Sequence, residues 1–99
     1  MEMIREEKAL TQILAHELSI PKEEIFFFAA KALLEKNLLQ VNSKILSIAG
    51  KYKIASIYEF EELYKKGLVE EEGSWEDFQA FDHLEYKRDK IKEILKSLS

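Results

Sequence analysis

Phe27, Ala30, Leu34, Leu38, Val41, Ile45 and Ile48 recur at spacings of three or four along a stretch without proline, and Gly50 stands at its far end. That period belongs to a helix, and it predicts one long helix of about 28 residues stopped at Gly50. Phe28, Ala32, Leu39 and Leu46 form a second apolar line about 100–140° round the same cylinder. Between Ile25 and Leu34 the only charge is Lys31, so the first half is apolar on nearly every side and must be buried on nearly every side. Two readings follow. Either this is a central helix enclosed by the rest of the chain, or Phe26, Phe27, Phe28 and Leu34 also serve a dimer or partner interface. Three adjacent phenylalanines point in three directions on a helix, so at least one is expected to leave the monomer core.

The remaining chain has few places to turn. With 3 Gly and 1 Pro in 99 residues, and Glu, Lys, Leu and Ala abundant, hairpins are disfavoured and the fold class is all-α. The length supports one helical domain over residues 1–99. A hydrophobic share of 46% beside 34% charged residues separates it from disordered and membrane classes. Cysteine is absent, which removes disulfides and thiolate chemistry. No run approaches about 18 apolar residues, and residues 1–9 carry charges where a signal peptide needs an apolar stretch, so a cytoplasmic address and no membrane contact are expected. Lysine outweighs arginine, and 16 Glu stand against 3 Asp, a bias that points to a thermophilic source.

Punctuation divides the chain into about four helices around the long central one. Met3, Leu10, Leu14 and Leu18 share a face over residues 3–18, and Ser19-Ile20-Pro21 ends that segment, with Pro21, Glu23 and Glu24 suited to the first turn of the next. Residues 51–55 read as a connector. Ser56 and Glu59 have capping-box spacing, Ala55 and Phe60 fit the staple positions around it, and Gly67 suits the residue just past the helix end. Ser74 with Asp77 repeats the capping pattern for a last helix, in which Phe81, Leu84, Ile91, Leu95 and Leu98 mark the apolar face.

Charge is distributed unevenly. Residues 1–55 carry a net +1, residues 56–85 a net −8 and residues 86–99 a net +3, which sum to −4. An acidic ridge repels phosphate backbones and speeds association with cationic surfaces. Glu-rich stretches are commonly solvated helix faces. Here, however, Trp75, Phe78, Phe81 and Tyr86 interleave with the acids, and an aromatic anchor rimmed by charge is the composition of a binding hot spot. Phe81 reads as core and Trp75, in the first helical turn, as exposed. The expected partner-binding set is Glu70, Glu71, Glu72, Trp75, Glu76, Asp77 and Phe78, offered to a basic protein.

Two stretches resemble known families. Ile13-Leu14-Ala15-His16-Glu17-Leu18-Ser19-Ile20-Pro21-Lys22-Glu23-Glu24-Ile25, continued by Ala29-Ala30-Lys31-Ala32-Leu33-Leu34-Glu35-Lys36, resembles the helix–turn–helix half of ribbon-helix-helix antitoxins. Those proteins read DNA with a strand ahead of the first helix, whereas Met1-Glu2-Met3-Ile4-Arg5-Glu6 is short, acidic and helical in pattern. Tyr52 to Gly67, then Ser74-Trp75-Glu76-Asp77-Phe78 and Asp82-His83-Leu84-Glu85-Tyr86-Lys87-Arg88-Asp89, is similar to the C-terminal half of small archaeal helical proteins associated with small toxin enzymes. That resemblance implies an antitoxin-like interaction module with a toxin-like basic partner, and the apolar excess of the long helix adds the expectation of a homodimer.

Catalytic chemistry finds little support. His16 and His83 are the only histidines, and no Glu-x-x-His pair of the di-iron type occurs. Glu59 and Glu62 match half of the Glu-x-x-Glu…Glu-x-x-Asp pattern seen in helical nucleotide pyrophosphatases, without the second half. Phosphate-cradling glycine loops are absent. No enzymatic activity, metal or cofactor is expected. The alternative function is a dimeric nucleic-acid-binding regulator using Lys87, Arg88, Lys90, Lys92 and Lys96, although pairs such as Asp89 with Lys92 and Glu93 with Lys96 would make that basic helix ordinary.

Overall fold

The structure is a computed structural model that describes residues 2–98, with side chains from Lys8 onward. It is all-α, as expected, with no strand among the described residues. In chain order it comprises α1 (Glu2–Leu18), a 3-10 turn (Lys22–Glu24), α2 (Ile25–Tyr52), α3 (Ile57–Lys65) and α4 (Glu71–Leu98). The chain divides into two compact units, Met1–Leu33 and Leu34–Ser99.

In the first unit, α1 closes where Ser19 takes a left-handed conformation (φ 53°) and the Ile20 N–H returns to the Ala15 carbonyl at 3.1 Å. That six-to-one bond satisfies a carbonyl the helix would otherwise leave open. Pro21 (φ −54°, ψ 134°) precedes the 3-10 turn rather than entering α2, because its carbonyl accepts from Glu24 N at 2.9 Å and tightens the turn. Ile25 is buried. Leu14 is half-buried, but Leu10, Ile13 and Leu18 remain exposed, so the predicted α1 stripe is only partly covered. Met3, at its start, lies outside the described side chains.

The second unit closes a core. Val41 and Ile45 of α2, Phe60 of α3, and Phe81 and Ile91 of α4 form its buried cluster, with Leu34, Leu38, Ile48, Ile54, Leu63, Leu84 and Leu95 packed around it. Phe60 and Phe81 are fully buried. The three-four line of α2 from Leu34 to Ile48 is therefore the core face. The second line is not, since Leu39 and Leu46 are exposed.

α3 begins and ends as its residues dictate. Ser56 Oγ accepts from Glu59 N at 3.3 Å, while the Glu59 carboxylate accepts from Ala55 N, one residue before the usual reciprocal partner. At the other end Gly67 (φ 67°) lets Leu68 N reach the Leu63 carbonyl at 2.9 Å and Gly67 N reach the Tyr64 carbonyl at 3.1 Å.

One expected boundary and one expected cap are corrected. α2 runs through Gly50 to Tyr52, and Lys53 (φ 55°) turns the chain instead, with Ile54 N bonded to the Ala49 carbonyl at 3.0 Å. Ending there lets Ile54 pack on the core and keeps Tyr52 beside Phe60, with ring centroids 4.6 Å apart. Ser74 and Asp77 do not form a cap. The helical run from Glu71 is broken at Glu72 (ψ 124°) and Gly73 (φ 91°), so its regular part begins at Ser74, where the spacing places it, but both predicted capping side chains are committed elsewhere.

Candidate interaction surface

The start of α4 joins a set of hydrogen bonds that sets the position of the acidic aromatic segment. Ser74 is buried. Its hydroxyl donates to the Glu70 carbonyl, so the Tyr64 hydroxyl, 2.5 Å away, donates to Ser74 Oγ. That chain ties the turn carrying Glu70, Glu71 and Glu72 to α3. Gly73 supplies the left-handed residue that redirects the backbone there, a conformation costly for any side chain with a Cβ.

Asp77 clamps α4 to the end of α2. Its Oδ2 accepts from Lys51 Nζ at 2.8 Å and from the Tyr52 hydroxyl at 2.6 Å. The hydrogen bond from Lys51, followed by that from Tyr52, holds the Asp77 carboxyl below its ordinary value. Lys51 is raised, chiefly by the same bond to Asp77, and Tyr52 is raised by burial and then by its bond to the carboxylate.

Aromatic rings lead outward from the core in one ladder. Phe60, fully buried, meets the edge of Phe78 at 5.2 Å between centroids. Phe78 also meets Tyr64 at 5.5 Å. Trp75 lies parallel on Phe78, 5.5 Å between centroids and 7° between planes, and is 50% exposed. The indole is thus presented on a ring that the core already holds, which lowers the conformational entropy that a contact would cost.

The predicted partner-binding residues therefore separate. Glu70, Glu71, Glu72 and Glu76 are exposed, as is Trp75; Phe78 is its half-buried support, and Asp77 belongs to the clamp. Spacing alone missed one further internal acid. Glu85 Oε1 accepts from Ile57 N at 3.2 Å, capping α3 from α4, and its other oxygen lies 3.7 Å from Arg88 Nη2. A large acid on the helix face of Phe81 and Arg88 was the available signal. Phe81 is core, as expected, and Tyr86 is exposed.

Of the residues expected at a dimer interface, Phe26 is 83% exposed, Phe27 and Phe28 are partly exposed with their rings edge-to-face at 5.6 Å, and Leu34 packs against the second unit's core. In the basic helix, Lys87, Lys90, Lys92 and Lys96 are exposed, but Arg88 is held by Glu85 and by Asp89 at 3.0 Å. Asp89 thus pairs with Arg88 and not with Lys92. Among the described residues, no group of three or more His, Asp or Glu could hold a metal, and no helix is long and apolar enough to cross a membrane.

These features define a small all-helical protein. The chain belongs to the family described as the Uncharacterized protein MJ0235 family, whose model matches residues 1–99. No curated protein and no solved structure matches it.

Proposed function

We propose that the protein is a non-enzymatic interaction module, antitoxin-like in mode of action, that offers the start of α4 to a basic protein. The supporting observation is Trp75, half exposed and stacked on Phe78, with Glu70, Glu71, Glu72 and Glu76 exposed on either side of it in sequence. A rigid indole supplies the desolvated anchor, while the carboxylates attract the partner and set its orientation. The mechanism is occlusion: the acids occupy a cationic cleft that would otherwise hold phosphate groups. On the same reading the exposed phenylalanine run is a second contact surface.

The test is capture from an extract of the source organism with three baits: the unaltered chain, Trp75→Ala, and a chain in which Glu70, Glu71 and Glu72 are changed to Lys. The expected result is a basic protein retained by the first bait and reduced at least about 10-fold on each of the others. Failure to retain any basic protein, or retention indifferent to both changes, overturns the reading. A gel shift that weakens steeply with salt and depends on Lys90 and Lys92 would favour nucleic acid instead.

A further inference from the structure

On the first turns of α2, Phe26, Ala29, Ala30 and Leu33 lie along one line, since positions three, four and seven apart share a helix face. Phe26 is 83% exposed and Leu33 62%, and Ala29 is exposed. The line ends abruptly, because the next positions on that face are Lys36, Asn37 and Gln40. It lies about a quarter turn round the helix from the core line through Leu34, Leu38 and Val41, with Ala30 on the side nearer that line.

We infer that this seam is where two copies of the chain pair, α2 against α2, running antiparallel about the Ala29–Ala30 bond. The inference rests on reading the phenylalanine run as a contact surface, and it names the occupant. The order large, small, small, large is the same in both directions. An antiparallel second copy therefore sets each Phe26 beside the partner's Leu33 and brings the two alanine pairs together at the centre. This is the self-complementarity that a two-fold interface requires. Alanines at the centre let the helix axes approach to about 8 Å, the near end of the usual range.

Charge agrees with a like partner. From Ile25 to Leu34 the only ionisable residue is Lys31, which is half-buried and lies off the seam, so two copies meet without repulsion. A cationic or anionic partner would find nothing here to recognise.

Area agrees as well. The three phenylalanines with Leu10, Ile13, Leu18 and Leu33 expose roughly 800 Å² on several faces of the first unit, taking about 200 Å² for a fully exposed large side chain. A stable pairing needs about 800 Å² from each partner. The seam alone offers less than half of this, so α1 must contribute to the covered surface.

Sedimentation equilibrium of the full chain across the micromolar range tests the pairing. The expected mass is twice the 11.6 kDa of one chain. Phe26→Lys and Leu33→Lys are each expected to weaken association about 30-fold or more, with helical circular dichroism retained. Because the chain lacks cysteine, orientation is read by single replacements under mild oxidation. Ala29→Cys, which leaves both large seam residues in place, is expected to form a disulfide-linked dimer. Phe26→Cys is not, since two antiparallel copies place those positions about 10 Å apart along the axis. Ser47→Cys, further along α2, stays unlinked.

A monomer at every concentration overturns the inference, including one that instead pellets with lipid vesicles. So does a dimer indifferent to both lysine substitutions, or linkage at Phe26→Cys without linkage at Ala29→Cys. None of these changes touches Trp75 or the acids of α4. Loss of the basic partner with the dimer intact therefore counts against the proposed function, and loss of the dimer with partner capture intact counts against this inference.

Discussion

The two compact units treat apolar surface in opposite ways, although one continuous helix serves both. In Leu34–Ser99, α2, α3 and α4 each contribute to one cluster, and Phe60 and Phe81 lose all contact with solvent. In Met1–Leu33, Ile25 is buried, but the three phenylalanines and Leu10, Ile13, Leu18 and Leu33 are exposed. The contrast teaches that a helical apolar period announces a face to be covered without saying by what. Three helical segments can enclose a ring; α1, the turn and the first turns of α2 offer too few neighbours to do so.

The strongest way to break that contrast is a matched pair of truncations. Phe60→Ala is expected to lower the unfolding free energy by about 3–5 kcal/mol in urea titration, because the cavity lies at the centre of the core. Phe26→Ala in dilute monomer should change it by no more than about 0.5 kcal/mol. Equal costs would mean that the first unit buries its phenylalanine in the isolated chain after all.

Within the second unit, Ser74→Ala is expected to cost about 1–3 kcal/mol, since the part-buried Tyr64 hydroxyl loses its acceptor. Combining it with Tyr64→Phe should give a loss smaller than the sum of the single losses, the mark of a shared hydrogen bond. Strict additivity would sever the proposed link between α3 and the acidic turn. Gly73→Ala should cost about 1 kcal/mol. A Cβ there meets no atom within 4 Å, so the penalty comes from φ 91° alone, and a neutral result would show that the turn at Glu72–Gly73 is not required.

The smallest effect is pH-dependent. Asp77 is held below its ordinary carboxyl value by Lys51 and Tyr52. Its contribution is therefore complete above the unfolded-state value and fades as pH falls through the lower folded-state value. Asp77→Asn should flatten that part of the acid limb in a plot of Tm against pH. An acid limb identical in both proteins would remove the clamp from the account of stability.

Legibility followed the range of the interaction. Ser56, Glu59 and Gly67 act on backbone groups within a few residues, so α3 was readable from spacing, as were the core line of α2 and Phe81. Gly50 misled because its conformational freedom is an option that the chain declines: burying Ile54 favours a stop two residues later, at the cost of a left-handed lysine. Ser74 and Asp77 misled because their capping groups found better partners 10 and 25 residues away, in Tyr64 and Tyr52. Of the acidic aromatic segment, exposure of Trp75 was legible and its seat on Phe78 was not.

Amino-acid order by itself determined the helical class, the face of α2 that enters a core and the excess of apolar residues between Ile25 and Leu34, because each follows from local geometry and composition. Tertiary structure decided which acids face solvent and which brace the fold, and which apolar line is enclosed. Those outcomes depend on pairs of side chains far apart in the chain, and the free energy of each pair exists only once the helices have met.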